Sequence, residues 1–193
     1  MKKIELKDVV DIAEYERRRN SFRPVIMDIK NKRRIHVGPK ITYLFETFDT
    51  MLYQVQEMTR AERIVDEIAI MQEINAYNEL IPDKNQISAS MLIEIDEIEE
   101  RKQFLSKIID LPSHTYLLIN GEKVVPIFDP RQGTEDKLSS VQYLRFQLND
   151  TQVSLMADPE SRIVFGFDHL LYTFEYTLTP AQKEIVYQDL IAD

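Results

Sequence analysis

The spacing of the apolar residues changes once along this chain, and that change restricts the fold more than any other feature. Up to about residue 82 apolar residues recur at helical steps: Met51, Val55 and Met58 in one stretch, then Val65, Ile68, Met71, Ile74 and Tyr77 in the next. From Ile87 the step is two. Ile87, Ala89, Met91, Ile93 and Ile95 alternate with Ser88, Ser90, Leu92 and Glu94, the pattern of a half-buried strand. Further strand signals follow at 116–119, 124–128, 141–148, 163–167 and 172–178. Asn120-Gly121 joins the first two as a hairpin, because that pair supplies the positive φ angles of a type I′ turn. Strands that succeed one another without regular helical crossovers predict an α+β fold. We expect a helical N-terminal half packed on a mostly antiparallel sheet of about five or six strands with flanking helices.

Four glycines and no Gly/Ser-rich or Pro-rich tract leave no material for a flexible linker. One compact domain over residues 1–193 is expected, with its helical part at about 1–82 and its sheet part at about 87–193. Pro24 should break or restart a helix over 7–31, since it lacks an amide donor and disfavours the helical conformation at Arg23. Residues 41–47 read as a strand or as a loop. The helical stretches on either side of Ile64 are one long helix or a bent pair. Asp96 can cap a following helix with Glu99 three residues on, and Thr179-Pro180-Ala181-Gln182 has the signature of a helix start.

Several chemistries are set aside by what the chain lacks. It has no cysteine, which removes disulfides, thiolate-bound zinc, Fe–S ligation and thiol catalysis. His36, His114 and His169 sit in separate segments with no H-x-H, H-E-x-x-H or E-x-x-H spacing, so no metal is expected. No P-loop, G-x-G-x-x-G or G-x-S-x-G is present, and no cofactor is expected. No apolar run approaches the roughly 18 residues of a membrane span. The N-terminus carries lysines without an apolar core segment, which makes the cytoplasm the expected compartment.

The formal charge of −9 conceals an asymmetry. Between Arg17 and Lys40 nine Lys/Arg meet a single acid, Asp28, a local charge of +8 against −17 elsewhere. Arg17, Arg18, Arg19, Lys32, Arg33 and Arg34 are therefore candidates for binding an anion or a partner. The absence of interleaved aromatics and the acidic remainder argue against nucleic acid. Pairing within the chain, or with an acidic protein, fits better.

Residues 41–64 hold the densest set of hydrogen-bonding groups on an apolar stripe. Glu46, Tyr53, Gln56, Glu57 and Arg60 are the candidate ligand-binding residues, with His36 nearby in sequence. On a helix Tyr53, Gln56, Glu57 and Arg60 lie on neighbouring turns, and Glu57 beside Arg60 could act as a base or orient an anion. The competing reading is an ion-pair network, since charged pairs at helical spacing are common.

The run Tyr53-Gln-Val-Gln-Glu-Met-Thr-Arg-Ala-Glu-Arg-Ile64, with Lys32-Arg-Arg-Ile-His-Val-Gly-Pro39 and Leu44-Phe-Glu46 before it, resembles the DUF3501 family of uncharacterised bacterial proteins. Asn75-Ala-Tyr-Asn78, Met91-Leu-Ile-Glu-Ile95, Val141-Gln-Tyr-Leu-Arg-Phe146 and Asp168-His169 extend the likeness over nearly the whole chain. The resemblance brings no assigned catalytic residues. It implies an association with a rubrerythrin-like protein and an Fe–S oxidoreductase. Two readings of function follow. One is a non-catalytic accessory protein that docks on such a redox partner. The other is a small-ligand-binding protein or enzyme with a pocket at the 41–64 segment. A homo-oligomer is compatible with both.

Overall fold

The computed structural model describes residues 1–128, 132–134 and 136–192. The first long element, α1 (Ile12–Lys32), starts at Asp11, whose carboxylate accepts the Glu14 amide at 2.8 Å. It runs unbroken through Pro24, against the expected break. Pro24 and Asn20, whose carbonyl it leaves without an amide partner, are both exposed. Buried Tyr15 and Ile26 anchor the helix on either side of it, and the Phe22 ring packs on Tyr53 at 6.3 Å.

Two strands that sequence periodicity placed in the helical half, β1 (Arg34–His36) and β2 (Ile41–Phe45), come next. A box of reciprocal bonds between Thr47 and Thr50 opens α2 (Phe48–Ala61). That helix ends in a Schellman arrangement: Ile64 N–H donates to the Thr59 carbonyl at 2.9 Å and Arg63 N–H to that of Arg60 at 3.3 Å. Arg63, at φ 54°, takes the left-handed position usually given to glycine. Here lies the reason α2 and α3 (Glu67–Asn78) are a pair rather than one long helix.

The remaining elements are β3 (Gln86–Ile93), α4 (Ile98–Lys107), β4 (Thr115–Ile119), β5 (Glu122–Val124), β6 (Ile127–Phe128), β7 (Gly133–Thr134), β8 (Lys137–Leu138), β9 (Val141–Gln147), α5 (Asp150–Ala157), β10 (Ile163–His169), β11 (Tyr172–Thr177) and α6 (Pro180–Ile191). Asp96 does not cap α4; that position falls to Glu97, whose side chain makes no cap bond. Asn120 and Gly121 turn the β4–β5 hairpin at φ 51° and 87°. The second strand of that hairpin ends at Val124, and Ile127–Phe128 crosses to another sheet. Helix α5, absent from the periodicity reading, is announced by an Asn149/Gln152 capping box.

The α+β class and the antiparallel pairing agree with the sequence, but the strands divide over two main sheets. The larger has the order β1-β2-β3-β9-β6 and the smaller β11-β10-β4-β5; β7 and β8 form a separate ribbon. The two sheets pack through aromatic side chains. Tyr43, Phe45 and Phe146 meet Phe165 at ring distances of 5.6, 5.2 and 5.4 Å. Each such pair contributes about 0.5–1.5 kcal/mol beyond its buried area. A second apolar cluster, Ile4, Met51, Val55, Ile74 and Ile81, joins α2 and α3 to the N-terminal segment. Strand β3 is therefore not half-buried as its alternation suggested. Its inner residues meet the smaller sheet, and outer Ser88 and Ser90 are themselves only 3% and 5% exposed.

Candidate functional site

Antiparallel register aligns Arg34, Leu44, Ser90 and Tyr143 in one row across four strands of the larger sheet. The next row holds Ser88, Arg145 and Ile127. Glu46, just beyond β2, extends that row, because its amide donates to the Ser88 carbonyl at 2.9 Å. Side chains alternate across a strand, so these residues point away from the aromatic core built by Ile35, Tyr43, Ala89 and Leu144. Lys30 from α1, Met51 and Gln54 from α2, Tyr77 from α3 and Leu80 lie over this outer face. Between the two layers is a cleft of two adjoining cavities, about 240 and 390 Å³, that share Tyr77, Leu80 and Tyr143.

Glu46 is the most informative group in the cleft. It is 3% exposed; one carboxyl oxygen accepts from Ser90 Oγ at 2.5 Å and the other lies 2.6 Å from Thr50 Oγ1. The Thr50 hydroxyl has a single proton and also lies 3.1 Å from the Thr47 carbonyl. The geometry thus accommodates a neutral Glu46 that donates to Thr50, which in turn donates to Thr47. Burial pushes the Glu46 carboxyl above its usual range, and the Ser90 and Thr50 hydroxyls, Lys30 and Arg33 only partly offset that.

Two cations line the same cavity. Arg34 Nε is buried with no hydrogen-bond acceptor. Lys30 lies 5.0 Å from the centre of the Tyr53 ring. Burial lowers the Lys30 ammonium from its usual value, with Glu46 opposing and Arg34 reinforcing the shift. A buried carboxyl, a guanidinium with an unmet donor and a partly desolvated ammonium therefore face one space.

Of the five residues proposed from the 41–64 segment, Glu46 lines this cleft and the other four face α1 or the N-terminal segment. Tyr53 is buried between Phe22 and Lys30. Gln56 clasps Val10, accepting its amide at 2.8 Å and donating to its carbonyl at 3.1 Å. Glu57 accepts from Arg19 at 2.7 and 3.0 Å, from Tyr15 at 2.6 Å and from Arg60 at 3.4 Å. Burial alone would raise Glu57, but the bonds from Arg19 and Tyr15 and the charges of Arg19 and Arg60 outweigh it and bring the carboxyl to about 2. Arg60 also reaches Glu16 at 3.3 Å.

The basic candidates are largely met within the chain. Arg17 and Arg18 both pair with Glu14, Arg19 with Glu57, Lys32 with Asp28 at 2.6 Å, and Arg33 with Asp189 on α6. Arg34 is turned into the cleft. His36, on β1, bonds Thr42 Oγ1 at 2.8 Å on the same outer face. His114 and His169, far apart in sequence, stand 5.2 Å apart by ring centres; each is held by an aspartate at 3.0 Å, Asp168 and Asp110 respectively. Among the described residues no group of three or more His, Asp or Glu is placed to hold a metal ion. None of the described helices is long and apolar enough to cross a membrane.

Sequence reasoning missed Lys30, Gln54, Tyr77, Ser90 and Tyr143 as cleft residues. A signal was present in the small hydroxyl residues Ser88 and Ser90, which interrupt an otherwise apolar strand on one face. That alternation read as exposure to solvent, whereas a helical layer covers it.

Fold and cleft together define a class: an α+β protein in which two antiparallel sheets form the core and a helical layer roofs a polar cleft on the outer sheet face. The chain belongs to the DUF3501 family, described as a protein of unknown function, whose model matches residues 3–190. Its structure is similar to the crystal structure of a novel protein of unknown function from Burkholderia pseudomallei K96243. The TM-score is 0.91 at 25% sequence identity, over 98% of this chain and 100% of that one. No curated protein matches the sequence.

Proposed function

We propose that this protein binds a small molecule in the cleft between the helical layer and the outer face of the larger sheet. The observation that carries this reading is the convergence of Glu46, Lys30 and Arg34 on one cavity. Arg34, Leu44, Ser90 and Tyr143 stand in one row on paired strands, which fixes their spacing more firmly than loops would. The test is a thermal-shift screen of a chemically diverse small-molecule library against the wild-type protein, Arg34→Gln and Tyr143→Ala. The reading expects at least one compound that stabilises wild type and loses its effect in both variants. Hits that are indifferent to both substitutions would contradict it.

A second reading is docking on a redox partner, the Fe–S oxidoreductase or rubrerythrin-like protein that the family resemblance implies. It is favoured by the apolar row at the α2–α3 corner, where Val65 is 79% and Ile68 71% exposed. Anaerobic affinity capture from the native host, with Val65→Asp/Ile68→Asp as the comparison, tests it. The reading expects stoichiometric recovery of such a protein by wild type and its loss with the double variant. Equal recovery by both would count against docking at this corner.

A further inference from the structure

The chemistry of the cleft also defines what it should hold. We infer that the ligand is a small organic monoanion, a carboxylate on a flat apolar body, with the carboxylate on Arg34 and Lys30 and the body between Tyr77 and Tyr143. This rests on the reading of the cleft as a ligand site and gives that site a substrate class.

Charge comes first. Lys30 and Arg34 supply two positive charges to the smaller cavity and Glu46 at most one negative charge. At least one positive charge is left uncompensated, and the neutral form of Glu46 would leave two. A single negative charge is what this balance lacks. A doubly charged anion, such as inorganic phosphate above neutral pH, would meet the Glu46 carboxyl, which can neither leave nor be solvated at 3% exposure. The guanidinium fork of Arg34 favours a planar two-oxygen acceptor over a point charge.

Shape comes second. The two cavities share Tyr77, Leu80 and Tyr143, so a body that extends from a carboxylate at Arg34 toward the larger one runs past these residues. Leu44, Met51 and Leu92 line the cationic end around the charges. Tyr77 and Tyr143 offer aromatic surface to a flat apolar group. Together the two cavities are of the size that takes a small molecule. The larger one is also lined by Glu73, Glu79, Gln132 and Arg145, polar groups suited to a further polar but uncharged substituent.

Benzoate is the simplest probe of this class; benzamide is its neutral isostere and inorganic phosphate the anion without a body. Met51 lines the cleft, while Met156 lies in the sheet-sandwich core at 1% exposed, so methyl-13C-methionine NMR separates site from scaffold. We expect benzoate to shift the Met51 methyl saturably and to leave Met156 in place. Benzamide should bind about tenfold more weakly or worse, because it lacks the charge. Arg34→Gln and Lys30→Gln should each weaken benzoate by a similar factor, with an unmoved Met156 resonance reporting an intact core. Phosphate should not displace benzoate at equal concentration. Benzamide binding as well as benzoate, or phosphate competing on equal terms, would overturn the assignment of class. So would a Met51 resonance that no probe moves. In those cases a neutral hit in the library screen, lost in Tyr143→Ala, would leave the cleft a ligand site of another chemistry. The failure of the class and the failure of the site are thus separate results.

Discussion

At the scale of single residues, Glu46 and Glu57 are eleven positions apart and have opposite fates. Glu57 sits among cations and a phenol, and its carboxyl falls from 4.5 to about 2. A group depressed on folding contributes stability that is fully present above its unfolded value and is lost as the pH falls toward the folded one. Glu57→Gln should therefore cost about 2 kcal/mol at neutral pH, and that difference should shrink between pH 4.5 and 2. Urea titrations of both proteins across that range check it. Glu46 is raised instead, so its favourable contribution is confined to pH below its unfolded value and fades as pH rises through the folded one. Glu46→Gln should then melt higher than wild type at neutral pH, and the gap should close as pH falls toward 4.5. A residue whose removal stabilises the fold while it lines a cleft is one that packing alone does not account for. The sequence could not separate these two carboxylates. Both lie in the same polar-rich segment, and their environments come from Ser90 in one case and from Tyr15 and Arg19 in the other.

At the scale of elements, two departures from expectation have local causes. Pro24 does not end α1, because burial of Tyr15 and Ile26 on either side holds the helix in place while the proline faces water. Substitution Pro24→Ala should restore one main-chain bond and raise stability by about 1–3 kcal/mol, read from the denaturation midpoint. Arg63 terminates α2 in a conformation that glycine adopts without strain. Arg63→Gly should gain about 0.5–1 kcal/mol by the same measurement. Caps were readable only in part: Asp96 does not cap α4, and the Asn149 box went unread. The threonine before Pro180 and the Asn120-Gly121 turn stand where their chemistry places them, and Gln182 closes the box with Thr179. Strand β1 was invisible, since three residues carry no period and Arg34-Ile35-His36 reads like the basic run around it.

At the scale of the whole molecule, the change of period at Ile87 located most of the sheet but not its partition. Periodicity reports which residues share a face. It cannot tell whether that face meets helices, a second sheet or water, which is settled by contacts between the sheets such as Tyr43 with Phe165 and Phe146 with Phe165. The charge asymmetry was legible as a fact and not as a geometry. Five of the six basic candidates have carboxylate partners in the chain, and Arg34 points into the cleft. The cleft has the same origin. It exists only where the outer face of β2, β3 and β9 meets α2 and α3, segments separated by up to about a hundred residues. That this space holds a ligand can be checked by a crystallographic fragment screen. Fragments should gather between Arg34 and Tyr143, with a negatively charged group on the Arg34 and Lys30 side. Fragments found only elsewhere, for instance along the apolar groove of Phe22, Val25 and Leu52 between α1 and α2, would contradict it.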